Sequence, residues 1–243
     1  SHPNNGALSA STGTFTGDLT VDTDTLKVDT TNDLVGINTA TPSNYYADDL
    51  VLTVPDEGGM TIVQGTSEQS YLAFADGTSG DARYRGYLSY DHGIDSLYLG
   101  TSANVGLKID ANGHITKPLQ SAFSAYLSST SSALATDGSA ATVAFDSERF
   151  DTNSDFASNT FTAPVTGKYL LGFHLRINNA DTAATYYIPS LVTSNQAYRD
   201  IINPKFSSDL GYMPMQVTVV ADMDANDTAY VVIQQSGGSS QSQ

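Results

Sequence analysis

Two acidic loops are the first candidates for chemistry. Asp151-Thr152-Asn153-Ser154-Asp155 and Asp222-Met223-Asp224-Ala225-Asn226-Asp227 set side-chain oxygens at alternate positions. Ca²⁺ chemistry needs such a supply of hard oxygen ligands. Neither loop fits the EF-hand pattern. Its sixth position is Phe156 or Asp227 instead of glycine, and its twelfth is Thr162 or Ile233 instead of glutamate. The expectation is therefore two solvated turns and no cofactor, with Ca²⁺ as the one ion left open.

Histidine is the next residue type that could act, as a general base or a metal ligand. The histidines are His2, His92, His114 and His174, and no two have ligand spacing. There is no cysteine, so disulfides, thiolate metal sites and a thiol nucleophile are excluded. No nucleophile elbow, phosphate-binding loop or dinucleotide fingerprint is present. Catalysis is not expected.

Aromatic and basic groups together suggest binding instead. Tyr198, Arg199 and Lys205 fall in one polar stretch, 195–209, of a chain with ten basic and twenty-six acidic residues. A tyrosine can stack on a sugar ring while an arginine pairs an acidic substituent. These three residues are the candidate receptor-binding site. The competing reading is that Tyr198 and Arg199 lock adjacent subunits. Fourteen tyrosines occur without a tryptophan, including the doublets Tyr45-Tyr46 and Tyr186-Tyr187. Neighbours in a strand point to opposite faces, so one tyrosine of each doublet is expected outside the core.

The elements that position these residues are strands. Thr, Ser, Asp, Gly, Tyr and Val dominate, and short alternating apolar runs are broken by Gly, Asn, Asp and Ser clusters. No amphipathic helix is visible. The net charge of −16 disfavours nucleic acid and anionic membrane surfaces, which need clustered Lys and Arg. No apolar run approaches the roughly 20 residues of a membrane-spanning helix, so membrane insertion is not expected.

Four segments follow. Residues 1–16 are small and polar, a flexible or tag-derived lead-in. Residues 17–55 hold very short strands joined by Asp, Asn and Thr turns, as in a β shaft. Residues 56–116 form a small β domain, with Asp76-Gly77 as a turn and residues 85–90 pairing with 96–99. Leu26-Lys27-Val28-Asp29 is echoed by Leu107-Lys108-Ile109-Asp110, each followed by a turn and a second short strand. Residues 117–243 are the head. There Tyr169, Leu171, Phe173, Leu175 and Ile177 alternate as a core face. The runs 215–221 and 228–235 read as apolar on both faces, a surplus suited to burial against another subunit. Three long polar connections, 128–141, 178–185 and 195–209, are the expected recognition loops.

The head resembles the C1q/TNF-like jelly roll. The residues that carry the likeness run from Lys117-Pro118-Leu119-Gln120-Ser121-Ala122-Phe123-Ser124-Ala125 through Val143-Ala144-Phe145-Asp146. The hairpin Phe161-Thr162-Ala163-Pro164-Val165-Thr166-Gly167-Lys168-Tyr169 completes them. The family's closing strand has no counterpart after Ala229–Gln235, where the sequence reads S-G-G-S-S-Q-S-Q. Residues 13–116 resemble segments of bacteriophage tail-fibre and related virion proteins. The resemblances imply an all-β chain: an N-terminal β shaft, a small β domain and a C-terminal jelly-roll sandwich. They further imply a homotrimer in a virion appendage, contacting other virion proteins and attaching to a host surface glycan or protein. A bacterial surface or secreted adhesin with the same head is the alternative. A polysaccharide-degrading tailspike is the third.

Overall fold

The structure, a computed structural model, describes residues 17–21, 25–130 and 134–243. The expected lead-in, 1–16, lies outside them. The chain is all-β, as its composition implies. Its only helical turns among the described residues are short 3-10 segments at Pro42–Asn44 and Gly80–Tyr84. It divides into two compact units, Ser1–Gln64 and Gly65–Gln243.

The first unit is a four-stranded sheet of β1 (Leu19–Val21), β2 (Leu26–Asp29), β3 (Leu34–Ile37) and β4 (Leu50–Leu52). Only β3 and β4 run parallel. The Asp29 carboxylate accepts the Thr31 and Asn32 N–H groups, both at 3.1 Å, and closes the turn between β2 and β3.

The second unit begins with a five-stranded meander. Its strands are β5 (Gln69–Phe74), β6 (Gly86–Asp91), β7 (Ser96–Thr101), β8 (Asn104–Ile109) and β9 (Ile115–Thr116). The expected pairing across 91–95 is present. Asp76-Gly77 does turn the chain, but inside a longer connection in which both N–H groups donate to Ala82 O. The sequence echo is a structural one. Asp110 accepts the Asn112 and His114 N–H groups at 2.9 Å, as Asp29 does in its own hairpin. Tyr71, Tyr84 and Tyr87 meet edge-on on one face of this sheet. The Tyr87 ring lies across Gly100, where an added Cβ would come within 2.2 Å of it. The other face carries Leu72, Leu88, Leu99 and Leu107 in register across four strands.

The remaining strands form a sandwich: β10 (Ala122–Tyr126), β11 (Asp137–Thr142), β12 (Ser147–Thr152), β13 (Phe156–Ala157), β14 (Thr160–Thr162), β15 (Gly167–Ala180), β16 (Ala184–Thr193), β17 (Ala197–Arg199), β18 (Leu210–Met223) and β19 (Thr228–Gly237). One sheet has the order β13-β14-β19-β16-β17, with β11 also on β19. The ribbons β15-β18 and β10-β12 supply the rest. Leu171, Phe173, Leu175 and Ile177 are buried, and their partners Val219, Val217, Met215 and Met213 face the same core. Phe123 stacks on Phe156 and Phe161 with ring centroids 4.8 and 5.1 Å apart. Tyr187 is fully buried and Tyr186 is not, whereas Tyr45 and Tyr46 are both exposed.

Two expectations change and one holds. β18 is apolar on one face only, because Gln216 and Thr218 point outward beside Val220. β19 does bury apolar groups on both faces, through Val231 and Ile233 on one side and Val232 on the other. The connection expected over 178–185 is a tight turn, since β15 runs to Ala180 and β16 starts at Ala184.

Phe161→Ala removes the ring held between Phe123 and Tyr169. It should cost about 3–5 kcal/mol in chemical denaturation. His174→Ala, on the outward face of β15, should stay within about 0.5 kcal/mol. Equal losses would place the core on the wrong face of β15.

Acid should also weaken the fold. The Ser239 N–H and hydroxyl hold the Asp181 carboxyl below its usual value, and Asn32, His114 and Ser128 do the same for Asp29, Asp110 and Asp146. A depressed folded pKa gives stability that is fully present above the unfolded value, about 3.9, and lost as pH falls through the folded one. Melting temperature should be level between about pH 5 and 7 by this linkage and should drop below about pH 4. A melting temperature that rises on acidification would contradict these bonds.

Candidate functional site

β17 is a short edge strand, paired to β16 through Tyr198↔Leu191 and Arg199↔Ser190. The Thr193 N–H donates to Gln196 O at 2.8 Å, and the Gln196 N–H to Thr193 Oγ1 at 3.0 Å, which closes the turn that presents it. Tyr198 and Arg199 are neighbours in a strand, so their side chains leave on opposite faces. Tyr198 is half-buried and packs against the core. Arg199 is exposed and forms no ion pair among the described residues. β17 and residues 216–219 of β18 border an open cleft of about 640 Å³.

Lys205 is not brought to this pair. Its Nζ donates to Ala184 O at 3.5 Å. Ala184 lies six residues along β16 from Ser190, or about 20 Å at the rise of an extended strand. The stretch 195–209 thus yields a strand and two separate basic positions instead of one cluster on a loop.

Other aromatic–basic pairs arise from residues distant in sequence. The Arg176 guanidinium lies over the Tyr212 ring, 4.5 Å from its centroid, and its Nε donates to Asn178 Oδ1 at 3.0 Å. Tyr212 is 67% exposed, so the second face of its ring is open to a ligand. Arg149 lies 5.2 Å from the Tyr126 centroid. The signal for the first pair is the register itself, which places Tyr212 opposite Asn178, diagonal to Arg176. That register cannot be read before β15 is paired with β18.

Several oxygens of the acidic loops already take donors from the chain. Asp151 accepts the Asp155 and Phe156 N–H groups, both at 3.1 Å. Asp227 accepts the Asp224 N–H at 2.9 Å and Asn195 Nδ2 at 2.7 Å, while Asp222 pairs with Lys168 at 3.1 Å. Among the described residues no group of three or more His, Cys, Asp or Glu is arranged to hold a metal.

The histidines are dispersed as their spacing implied. His92 Nε2 lies 3.2 Å from Ser70 Oγ, and its ring packs edge-on against Tyr90. A serine hydrolase needs a further group to orient the imidazole, and among the described residues none is hydrogen-bonded to the His92 ring. The contact ties the start of β5 to the turn after β6. His114 belongs to the Asp110 turn, His174 faces outward on β15, and His2 lies outside the described residues.

No protein-family model matches the chain, and no curated protein matches it. Among solved structures it is similar to the globular domain of the zebrafish complement 1qA protein. The two are 19% identical over 51% of this chain and 92% of that chain, with a TM-score of 0.36. The strand order and the shared core above carry the description of the head as a jelly-roll-type β-sandwich.

Proposed function

We propose that this chain is one subunit of a homotrimeric bacteriophage virion fibre or receptor-binding protein. It attaches to a host surface glycan or protein and does no chemistry on it. The observation that carries this reading is the leucine row of the five-stranded sheet. Leu72, Leu88 and Leu99 are 45%, 38% and 48% exposed, and Phe74 beside them is 65% exposed. A single sheet needs its apolar face covered to be stable. Three copies around an axis would bring three such faces together. The number three comes from the resemblance of the head to C1q-like domains.

Trimerisation suits attachment. It triples each weak site, so avidity replaces single-site affinity. The exposed Tyr212–Arg176 pair and Arg199 supply the stacking and charged groups that a sugar or an acidic side chain would meet. The recurring Asp-closed hairpins suit a fibre that contacts other virion proteins through small repeated β units.

Light scattering should give three times the 25.6 kDa of one chain. Leu88→Asp should shift that mass towards one chain, and a monodisperse parent monomer at micromolar concentration would overturn the assembly. Tyr212→Ala combined with Arg176→Ala, or Arg199→Ala alone, should reduce cell attachment without changing the mass. Incubation with host polysaccharide should release no oligosaccharide, and protein-dependent release would replace attachment with depolymerisation.

A further inference from the structure

The leucine row is one face of the five-stranded sheet, and the face behind it has a different chemistry. Directly paired residues share a face and successive residues alternate. With Leu72, Leu88 and Leu99 on the first face, Tyr71, Tyr87, Ser89, Tyr98, Gly100 and Lys108 fall on the second. The Tyr87 ring is the floor of this second face. It lies on the backbone of Gly100, the residue opposite it on β7, with no side chain between. Tyr71 and Tyr84 flank it. Their ring centroids are 6.0 and 6.4 Å from that of Tyr87, and their planes are inclined to it by 66° and 62°. Tyr71 comes from the neighbouring strand β5, and Tyr84 from the 3-10 turn Gly80–Tyr84 in the connection between β5 and β6. One flat ring with two inclined rings beside it makes a shallow aromatic cradle.

Hydrogen bonds fix the flanking rings. Tyr71 Oη donates to Gln69 Oε1, and Gln69 Nε2 donates in turn to Asp91 Oδ2 at 2.9 Å. Tyr84 Oη donates to Asp81 Oδ1 at 3.1 Å. The Tyr87 hydroxyl takes part in no hydrogen bond among the described residues, and Tyr87 is partly exposed. The charged groups nearby are already engaged. Arg85 pairs with Asp76 at 3.6 Å, and Arg83 Nε donates to Gly80 O at 3.3 Å. Lys108 lies over the Tyr98 ring, 5.5 Å from its centroid, and Asp91 also accepts the Gly93 N–H at 2.9 Å.

We propose that this tyrosine face is a glycan-binding site whose ligand is an uncharged pyranose unit of a host surface polysaccharide. The inference rests on the attachment reading above and gives it a site and a ligand class. A pyranose has an apolar face of C–H groups rimmed by hydroxyls. The faces of tyrosine rings are electron-rich and attract such C–H groups, while the Tyr87 hydroxyl offers one hydrogen bond. An acidic sugar would need a cation free to pair with it, and the basic groups here are occupied. A proline-rich peptide would need rings set along an extended groove, whereas these three converge on one point. The two faces of a sheet point apart. Covering the leucines in a trimer therefore leaves three cradles facing outward, and their avidity adds.

The chain has no tryptophan, so its intrinsic fluorescence comes from tyrosine and reports on these rings. The full chain is titrated with neutral oligosaccharides of gluco, galacto and manno configuration. Sialylated and uronic-acid oligosaccharides and a proline-rich peptide are titrated beside them, and cell attachment is measured in parallel. At least one neutral oligosaccharide should change the tyrosine fluorescence and saturate. Tyr71→Ala should weaken that binding about tenfold without lowering the melting temperature, because Tyr71 is 47% exposed. Tyr87→Phe keeps the ring and removes the hydroxyl, and should weaken binding about threefold. His174→Ala, in the head, should leave it unchanged. Should Tyr71→Ala fail to fold, Tyr87→Phe decides alone. Binding of the acidic sugars or the peptide without binding of neutral sugars would overturn the site. So would neutral binding that both tyrosine variants retain in full. A parent that attaches to cells and binds no neutral sugar overturns the cradle and leaves attachment standing. A parent that binds neither cells nor any sugar overturns both.

Discussion

The ladder between β15 and β18, continuous from Gly167↔Met223 to Asn178↔Tyr212, is the interaction on which the head depends. It sets the phase of both strands at once. A slip of one residue would carry Leu171, Phe173, Leu175 and Ile177 to solvent and bring Lys168, His174 and Arg176 into the core. No such slip is compatible with the phenylalanine stack beneath, because Phe161 and Tyr169 must meet from different strands. The same register creates the surface. Arg176 reaches Tyr212 only because Asn178 and Tyr212 are opposite one another. One ladder therefore decides both the core and an exposed aromatic–basic pair.

Backbone satisfaction is the second constraint, and the same device meets it in both compact units. The small hairpins have little apolar surface to bury. Their turns are held by aspartates, Asp29 and Asp110, each taking two N–H groups. In the head, Asp146, Asp151, Asp181 and Asp227 close connections in the same way. Much of the acidity is thus local architecture, with carboxylates standing in for backbone acceptors at turns. The excess of negative charge need not be referred to a ligand. In the two aspartate-rich loops Asp151 and Asp227 are turned to N–H groups in this way.

The sequence was most legible where one strand carries its own periodicity. The alternation over 169–177 places the core face correctly, and the echo between Asp29 and Asp110 marks two turns of the same kind. The all-β class follows from composition and turn chemistry. What could not be read depends on pairing between distant segments. Tyr198, Arg199 and Lys205 are close in sequence, but β17 sends the first two to opposite faces, and Lys205 is held at the far end of β16. Proximity in a loop would have kept them together, whereas an extended strand separates them. Tyr212 and Arg176 present the reverse case, distant in sequence and in contact. The polar S-G-G-S-S-Q-S-Q tail carried no periodic signal, because its placement rests on two left-handed glycines and on bonds to Asp181 and Leu134.

The leucine row and the edges of β10 and β15 left largely unpaired among the described residues are two forms of incomplete burial, and they call for different partners. A row of side chains across Leu72, Leu88, Leu99 and Leu107 presents apolar area with no backbone demand, because the ladders on either side of each central strand are filled. Such a face is satisfied by another apolar face, as in the contact between copies of one chain. The walls of the β10–β15 cleft present N–H and C=O groups above an apolar floor. Such groups are satisfied by water or by other hydrogen-bonding partners, whereas exposed leucines are relieved only by further apolar surface.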